Sequence, residues 1–184
     1  MKLRIISGNL GGRLINVPKS NLIRPTTNRV RETLFNILNN KINFNDLTVL
    51  DIYAGSGALG FECISRGAWE IHFVEKNFVI YKNLEGNIGN LQIEEQCYIF
   101  KMSAVKFSTF TNHINYDLIL ADPPFFKNDI YAVVNNFLTN QYLKKSGRLI
   151  IERSIQTKEN DIKNFDAVPF KIIGDTCLYE IIAN

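Results

Sequence analysis

Residues 122–125 read Asp-Pro-Pro-Phe, which joins a carboxylate, two rigid turn residues and a flat aromatic ring. This combination suits methyl transfer to the exocyclic amine of a nucleobase, a weak nucleophile because its lone pair is delocalised into the ring. Hydrogen bonds from the amine to the Asp122 carboxylate and the Pro123 carbonyl would localise that lone pair. Pro123 and Pro124 restrict the backbone, and Phe125 offers a face on which the base can stack. We expect the surplus proton to go to Asp122 or to water, with no metal involved.

A second stretch with chemical potential, residues 49–60, reads VLDIYAGSGALG. A strand that ends in glycines and opens a helix lets backbone N–H groups approach a ligand closely. Read literally, residues 55–60 satisfy the G-x-G-x-x-G pattern of dinucleotide sites, and Glu75 stands near the position of a ribose-binding acid. This stretch alone therefore leaves a nicotinamide enzyme open.

The carboxylate of Asp51, directly before the glycine loop, bears on which ligand the loop holds. A negative charge there would repel the pyrophosphate of a dinucleotide. It would attract the positively charged methionine moiety of S-adenosylmethionine, through the ammonium group or a bridging water. Together with the Asp-Pro-Pro-Phe string, Asp51 favours S-adenosylmethionine as the cofactor.

Strand and helix patterns alternate from residue 48 onward, which predicts an α/β, Rossmann-like, doubly wound fold. The predicted parallel strands are 49–53, 71–74, 97–100, 118–121 and 148–152. The predicted helices between them are 59–66, 78–89, 104–110 and 130–143. Segments 170–173 and 177–182 around Gly174-Asp175 indicate a hairpin, so we expect a mostly parallel seven-stranded sheet with an antiparallel C-terminal hairpin. Ligands of such sheets bind at the carboxyl ends of the strands.

The N-terminal part of the chain is strongly basic. Seven basic and no acidic residues occur through residue 31, leaving 14 basic and 18 acidic residues for the remainder. The basic residues are Lys2, Arg4, Arg13, Lys19, Arg24, Arg29 and Arg31. This segregation favours a basic arm that meets a polyanion such as RNA, although a charged extension that only aids solubility is the alternative.

Local patterns predict how this arm is built. Residues 4–17 read as a hairpin around a Gly-Asn-Leu-Gly-Gly turn, and an amphipathic helix begins at Thr27 or Asn28. Its apolar stripe anchors the arm and leaves the arginines free; the stripe comprises Val30, Leu34, Ile37 and Leu38. We expect one compact domain, with the arm at residues 1–46 and the catalytic core at 47–184.

Composition narrows the class of protein. A chain of 184 residues with 46% hydrophobic and 21% charged residues is ordinary for one globular domain. It contains neither a run of about 18 apolar residues nor a signal-peptide pattern, so we expect a cytoplasmic protein without membrane contact. The three cysteines and two histidines lie far apart, which predicts neither a disulfide framework nor a metal site.

Four segments resemble one family from end to end: RPTTNRVRETLFNIL, LDIYAGSGALGFECISRGA, LILADPPF and the terminal GDT-x-L-Y hairpin. The chain resembles the bacterial RsmD family, whose members are small-subunit (16S) rRNA guanine-N2 methyltransferases that use S-adenosylmethionine. The N-terminal string carries more of this resemblance than the glycine loop. The resemblance implies small-subunit rRNA as partner, free or in an assembled 30S particle, and we expect a monomer.

The resemblance also implies roles for individual residues. Residues 122–125 would hold the target guanine, and Glu75 would bind the ribose hydroxyls of the cofactor. The expected cofactor-binding residues are Asp51, Ala54, Gly55, Ser56, Gly57, Glu75 and Ser103. The expected RNA-binding residues are Arg4, Arg13, Arg24, Arg29 and Arg31. Ser103 departs from the family, which has Asn or Asp there to meet the adenine amine, so its contact with adenine is in question.

Other functions compete with guanine methylation. The Asp-Pro-Pro-Phe string indicates an amine but not the base, so adenine-N6 or another amino-methylation of DNA or RNA is the nearest alternative. A DNA enzyme would normally need an added recognition domain, for which 184 residues leave little room. A non-catalytic RNA-binding protein and a nicotinamide oxidoreductase are weaker alternatives, because neither requires this string.

Overall fold

Strands and helices alternate along the computed structural model, which describes residues 1–18, 27–124 and 128–183. The strands are β1 (Lys2–Arg4), β2 (Leu14–Asn16), β3 (Thr48–Asp51), β4 (Glu70–Val74), β5 (Cys97–Phe100), β6 (Tyr116–Ala121), β7 (Leu143–Ser154), β8 (Lys171–Ile173) and β9 (Thr176–Ile182). The helices are α1 (Asn28–Asn39), α2 (Ala58–Ser65), α3 (Phe78–Leu91), α4 (Ala104–Ser108), α5 (Asp129–Thr139) and α6 (Lys158–Phe165).

The main sheet has the order β5-β4-β3-β6-β7-β9-β8, seven strands within the described residues. The pairs from β5 to β7 are parallel, and β9 runs antiparallel to both β7 and β8. The chain leaves β3 towards β4 and β5 on one side and then returns to β6 on the other. The order therefore reverses between β3 and β6, where ligands of such sheets bind. The predicted fold and its C-terminal hairpin are confirmed.

Both faces of the sheet are covered by apolar side chains. Val49 belongs to a core cluster shared with α1, α2, α3 and the N-terminal hairpin. Its neighbour Leu50 belongs to a second cluster shared with α4, α5 and α6. Successive side chains of a strand point to opposite faces, so each central strand supplies both cores. This two-sided burial holds the ends of β3, β4 and β6 in fixed relative positions.

The N-terminal hairpin pairs β1 with β2 antiparallel and packs on the first face of the sheet. Ile5 and Ile15 are each only 1% exposed and belong to that core. The Ile6 N–H donates to Glu62 Oε1 at 2.8 Å, and the Leu10 N–H donates to Ser65 Oγ at 2.9 Å. The predicted hairpin is confirmed, and polar contacts with α2 add to its apolar anchor.

Helix α1 begins as predicted, because the Thr27 hydroxyl accepts a hydrogen bond from the Val30 N–H at 3.3 Å. Leu34 and Leu38 are buried together with Val30 as expected, whereas Ile37 is only partly buried. Phe35, which was not assigned to the apolar stripe, is fully buried. The buried face of α1 is thus rotated slightly from the predicted one.

The structure contradicts the expectation that all arginines of the arm are free, because Arg31 is buried. Its side chain is 1% exposed, its Nη2 donates to the Arg4 carbonyl at 2.7 Å, and its Nε lies 3.7 Å from Glu62 Oε1. Glu62 is itself fully buried, and a buried carboxylate needs a compensating cation. Arg31 therefore joins α1 to α2. Its buried position excludes it from the proposed RNA-binding residues.

Most predicted element bounds lie within two residues of the observed ones, and the main departures follow residue 139. The predicted helix 130–143 is wrong at its end, because α5 stops at Thr139 and Gln141 adopts a left-handed φ of 56°. Leu143 instead opens β7, which is longer than the predicted strand. Helix α6 was not predicted, since its KENDIKNF sequence carries only two large apolar residues.

Two further findings concern membranes and metals. None of the helices in the described ranges is both long enough and apolar enough to span a bilayer. The described residues also contain no group of three or more His, Cys, Asp or Glu side chains placed to hold a metal ion.

Candidate active site

Three carboxylates meet at the carboxyl edge of the main sheet. Asp51 ends β3, Glu75 directly follows β4, and Asp122 directly follows β6. The parallel register aligns Asp51 with Phe73 of β4 and Leu120 of β6. The strand ends that the sequence singled out are therefore neighbours in space, on both sides of the point where the strand order reverses.

Asp51 occupies the buried centre of this group. Its side chain is 1% exposed, and Oδ2 accepts a hydrogen bond from the Gly60 N–H at 3.2 Å. Burial raises the pKa of the Asp51 carboxyl to about 7, and the nearby charges of Asp122 and Glu75 add to the increase. The edge therefore concentrates negative charge and favours a cationic ligand.

The glycine loop after β3 takes backbone conformations that other residues rarely adopt. Gly55 and Gly57 have φ values of 53° and 82°. A Cβ on Gly57 would lie 2.5 Å from Leu84 Cδ1, whereas one on Gly55 would meet only the Tyr53 carbonyl at 3.9 Å. Gly57 thus allows close packing of the loop on α3, and Gly55 leaves open space beside the carboxylates.

Glu75 joins the glycine loop to the start of α3. Its Oε2 accepts from the Gly55 N–H at 3.2 Å, and its Oε1 accepts from the Asn77 N–H at 2.7 Å. Asn77 in turn caps α3, because its Oδ1 accepts from the Val79 and Ile80 N–H groups. A carboxylate has about four acceptor sites, so Glu75 can still receive hydroxyl groups from a ligand.

The remaining predicted cofactor residues have structural contacts of their own. Ala54 and Ser56 are buried, and the Ala54 N–H donates to the Val74 carbonyl at 3.1 Å. The Ser103 hydroxyl caps α4 by accepting from the Lys106 N–H at 3.2 Å. This contact explains a serine at position 103 without any ligand, and its contact with adenine stays a prediction.

The predicted substrate-binding loop begins at the end of β6. Asp122 is half-buried, Pro123 is buried and Pro124 is exposed. Phe125 lies outside the described residues. The charge of Asp122 acts on Asp51, which places the first residue of this loop within electrostatic reach of the buried carboxylate.

The arginines predicted to bind RNA divide into different environments. Arg4 and Arg13 are exposed on the hairpin, and Arg4 Nη1 donates to the Gly12 carbonyl at 2.7 Å. The Arg13 guanidinium donates to the Leu91 carbonyl at 2.9 Å and the Asn90 carbonyl at 2.6 Å, at the negative end of α3. Arg29 is exposed on α1, and Arg24 lies outside the described residues.

Comparison with known proteins identifies the family. A family model described as "Conserved hypothetical protein 95" matches residues 3–182. The protein "Ribosomal RNA small subunit methyltransferase D" of Buchnera aphidicola is 34% identical over 186 residues, which cover 100% of this chain and 94% of that relative. The chain belongs to the RsmD family.

Two further comparisons agree with membership of the RsmD family. The relative of the same name from Haemophilus influenzae is 35% identical over 153 residues, which cover 82% of this chain and 78% of that protein. A solved structure described as a putative methyltransferase from Escherichia coli aligns with a TM-score of 0.83 and 28% identity, covering 100% of this chain and 99% of the other. The fold of this RsmD family member is thus the Rossmann-like fold of methyltransferases.

Asn87 of α3 is a site residue that the sequence reasoning missed. It is 1% exposed, accepts from the Asn16 N–H at 2.8 Å and donates to the Asn16 carbonyl at 2.9 Å. Its amide also donates to the Ser56 carbonyl at 3.3 Å. Asn87 thus joins the hairpin of this RsmD family member to the glycine loop. The sequence did contain a sign of this role, because Asn87 places an amide beside Leu84 and Ile88 on the apolar face of α3.

Tyr53 and Asp129 interact electrostatically, which the sequence reasoning missed. Tyr53 lies in the glycine loop, and Asp129 begins α5 after the predicted substrate-binding loop. Burial raises the pKa of the Tyr53 hydroxyl well above its ordinary value, and the charge of Asp129 raises it further. The pair therefore brings the loop after β3 close to the segment that follows the loop after β6.

Proposed function

We propose that this protein transfers a methyl group from S-adenosylmethionine to the N2 amine of a guanine in small-subunit rRNA. One observation carries the proposal: Asp122 and the two prolines after it stand at the end of β6, next to the buried Asp51 carboxylate at the end of β3. Membership of the RsmD family supports the same conclusion.

The residues around the glycine loop fit the proposed cofactor. S-adenosylmethionine, when bound, supplies a methyl group on a positively charged sulfur. Asp51 and Glu75 provide negative charge for its cationic methionine end and acceptors for its ribose hydroxyls. The open space beside Gly55 leaves room for a ligand to approach the backbone. We include Ala54, Ser56, Gly57 and Ser103 in the proposed cofactor site.

The substrate-binding loop would prepare the amine. The Asp122 carboxylate and the Pro123 carbonyl accept its two N–H groups, which localises the lone pair on nitrogen and orients it for attack. Because the prolines restrict the backbone, both acceptors are held in place before the base arrives. The surplus proton goes to Asp122 or to water, and Phe125 provides a stacking face for the base.

The basic arm would hold the RNA. Arg4, Arg13 and Arg29 are exposed, and together with Arg24 they form the proposed phosphate-binding set. The unit at residues 1–46 would thereby bring rRNA to the catalytic unit at 47–184, within one domain. The proposal further includes a monomer acting in the cytoplasm on free rRNA or on an assembled 30S particle.

Methylation of adenine N6 is a second candidate, because Asp122 and Pro123 can accept N–H groups from any exocyclic amine. One experiment separates the two: the protein is incubated with labelled S-adenosylmethionine and unmodified small-subunit rRNA, naked or in 30S particles, and the nucleosides are identified. We expect N2-methylguanosine. Labelled N6-methyladenosine would establish the second candidate, and absence of transfer to both substrates would contradict the proposed function.

A further inference from the structure

Two exposed apolar side chains lie at the rim of the candidate active site. Phe78, the first residue of α3, is 54% exposed, and its neighbour Val79 is 66% exposed. They follow Glu75 by three and four positions and therefore lie at the same edge of the sheet as the carboxylates. Neither belongs to the two core clusters of the described residues. They form an exposed apolar pair beside the candidate site.

Two lysines lie beside the Phe78 ring. Lys101 directly follows β5, and its Nζ lies 4.5 Å from the ring centroid, while the Lys82 Nζ lies 5.9 Å from it. We call Phe78, Val79, Lys82 and Lys101 the Phe78 surface. Residues from one strand end and one helix thus converge on a single exposed ring.

Lys82 and Lys101 supply positive charge beside the Phe78 ring. Glu85 offsets part of this charge, because its Oε2 lies 2.7 Å from the Lys82 Nζ. An aromatic face combined with ammonium groups matches single-stranded nucleic acid, whose bases stack and whose phosphates are anionic.

We propose that the Phe78 surface binds an unpaired segment of the RNA substrate, with one base stacked on Phe78 and a flanking phosphate near Lys101. This inference rests on the proposed function and extends it to a second RNA contact, separate from the basic arm. A flat ring among lysines, next to the edge where the target base must enter, favours RNA over an acidic protein partner. Enzymes that modify a base act on single-stranded substrate or draw the base out of its stack, so an unpaired segment beside the target base is expected.

The experiment measures RNA affinity in three variants at saturating S-adenosylhomocysteine. Phe78→Ala removes the ring, Phe78→Tyr keeps it, and Trp69→Ala is the matched control. Trp69 is 66% exposed directly before β4, at the opposite edge of the sheet. The RNA is unmodified small-subunit rRNA, in whichever form, naked or 30S, the wild type methylates. Affinity for S-adenosylmethionine is measured by calorimetry on the same protein preparations without S-adenosylhomocysteine.

The stacking role predicts a specific pattern. We expect Phe78→Ala to weaken RNA binding by roughly 5- to 150-fold, while Phe78→Tyr and Trp69→Ala bind like the wild type. Affinity for S-adenosylmethionine should be the same in all three. RNA binding by Phe78→Ala at the wild-type level would overturn the inference. A loss confined to cofactor affinity would also overturn it, by assigning the ring to the cofactor.

The lysines provide a second readout. Lys101→Gln should lower the slope of log affinity against log salt by about 0.7, the value for one phosphate of a single strand. Lys163→Gln, an exposed lysine of α6 on the other face of the sheet, should leave the slope unchanged. Equal slopes in Lys101→Gln and the wild type would contradict the phosphate contact. If the wild type methylates rRNA while every Phe78-surface variant behaves normally, this inference fails and the proposed function stands; if the wild type does not bind rRNA, both fail.

Discussion

Three carboxylates at one edge of the main sheet differ in environment, and these differences support different proposed roles. Asp51 is buried with a raised pKa, Glu75 is held by the N–H groups of Gly55 and Asn77, and Asp122 is half-buried at the start of a rigid turn. In the proposed function, Asp51 attracts the cationic part of the cofactor, Glu75 accepts its hydroxyl groups, and Asp122 meets the base. Residue types suggested this division, but only the structure reveals the burial.

The raised pKa of Asp51 predicts a pH-dependent cofactor affinity. A cationic ligand favours the ionised carboxylate, so affinity for S-adenosylmethionine should fall by up to tenfold for each pH unit below about 7. Calorimetry from pH 6 to 8 measures this dependence, and Asp51→Asn should remove it. A dependence that persists in Asp51→Asn would contradict the assignment.

The same shift predicts the pH dependence of stability without ligand. The folded pKa lies above the unfolded value of about 3.9, so the native state retains a proton that the unfolded state releases. The contribution of Asp51 to the free energy of unfolding should therefore fall as pH rises from about 4 to about 7. Urea denaturation of the wild type and Asp51→Asn should show this loss in the wild type alone.

Glu75 should be essential for cofactor affinity. Glu75→Ala removes the acceptor of two backbone N–H groups and the proposed acceptor of the ribose hydroxyls, each worth about 1.5–3 kcal/mol. We expect binding of S-adenosylmethionine to weaken by at least about tenfold in calorimetry. Glu94→Ala, at an exposed acidic residue, serves as the control. Unchanged binding by Glu75→Ala would return this residue to a purely structural role.

Helix α1 shows how far an element can be predicted from sequence. Arg31 shares a helical face with Leu34, Phe35 and Leu38, at spacings of three, four and seven residues, so its burial was readable from the pattern. The pairing of Arg31 with Glu62 could not be predicted, because only the tertiary fold brings α2 next to α1. The grouping of the strand ends at the site was predictable, since parallel strands place their carboxyl ends at one edge of the sheet. The hydrogen bonds that join Asn87 to Asn16 and Ser56 were not predictable, since they depend on where the N-terminal hairpin packs.

Arg31 and Arg29 make a matched pair on one helix. Arg31→Met should destabilise the protein by about 3 kcal/mol, at the low end for breaking a buried ion pair, because Arg66 still pairs with Glu62. Arg29→Met, at an exposed position, should change stability by less than about 0.5 kcal/mol. Urea denaturation measures both. Equal stabilities of the two variants would contradict the anchoring role of Arg31.

At the scale of the whole molecule, the fold places negative and positive charges in separate regions. Buried and half-buried carboxylates gather at the edge where the strand order reverses, and the exposed arginines lie on the hairpin and α1 that pack on one face. Asn87 connects the two regions through Asn16 and Ser56. The proposed cationic cofactor and the proposed RNA would therefore be attracted to adjoining parts of the molecule.

The exposed arginine of α1 should contribute to RNA affinity through phosphate. Arg29→Ala should weaken binding of small-subunit rRNA and lower the slope of log affinity against log salt by about one unit, because one phosphate contact is lost. Binding measured at several salt concentrations tests this expectation. An unchanged slope would remove Arg29 from the proposed RNA interface.

The most direct test of the proposed chemistry is the rate of methyl transfer by Asp122→Ala at saturating S-adenosylmethionine and rRNA. We predict a fall of about a hundredfold or more, with cofactor affinity retained, because the variant loses the carboxylate that orients the amine. Glu159→Ala, at an exposed acidic residue of α6, should transfer at the wild-type rate. A wild-type rate in Asp122→Ala would contradict the account.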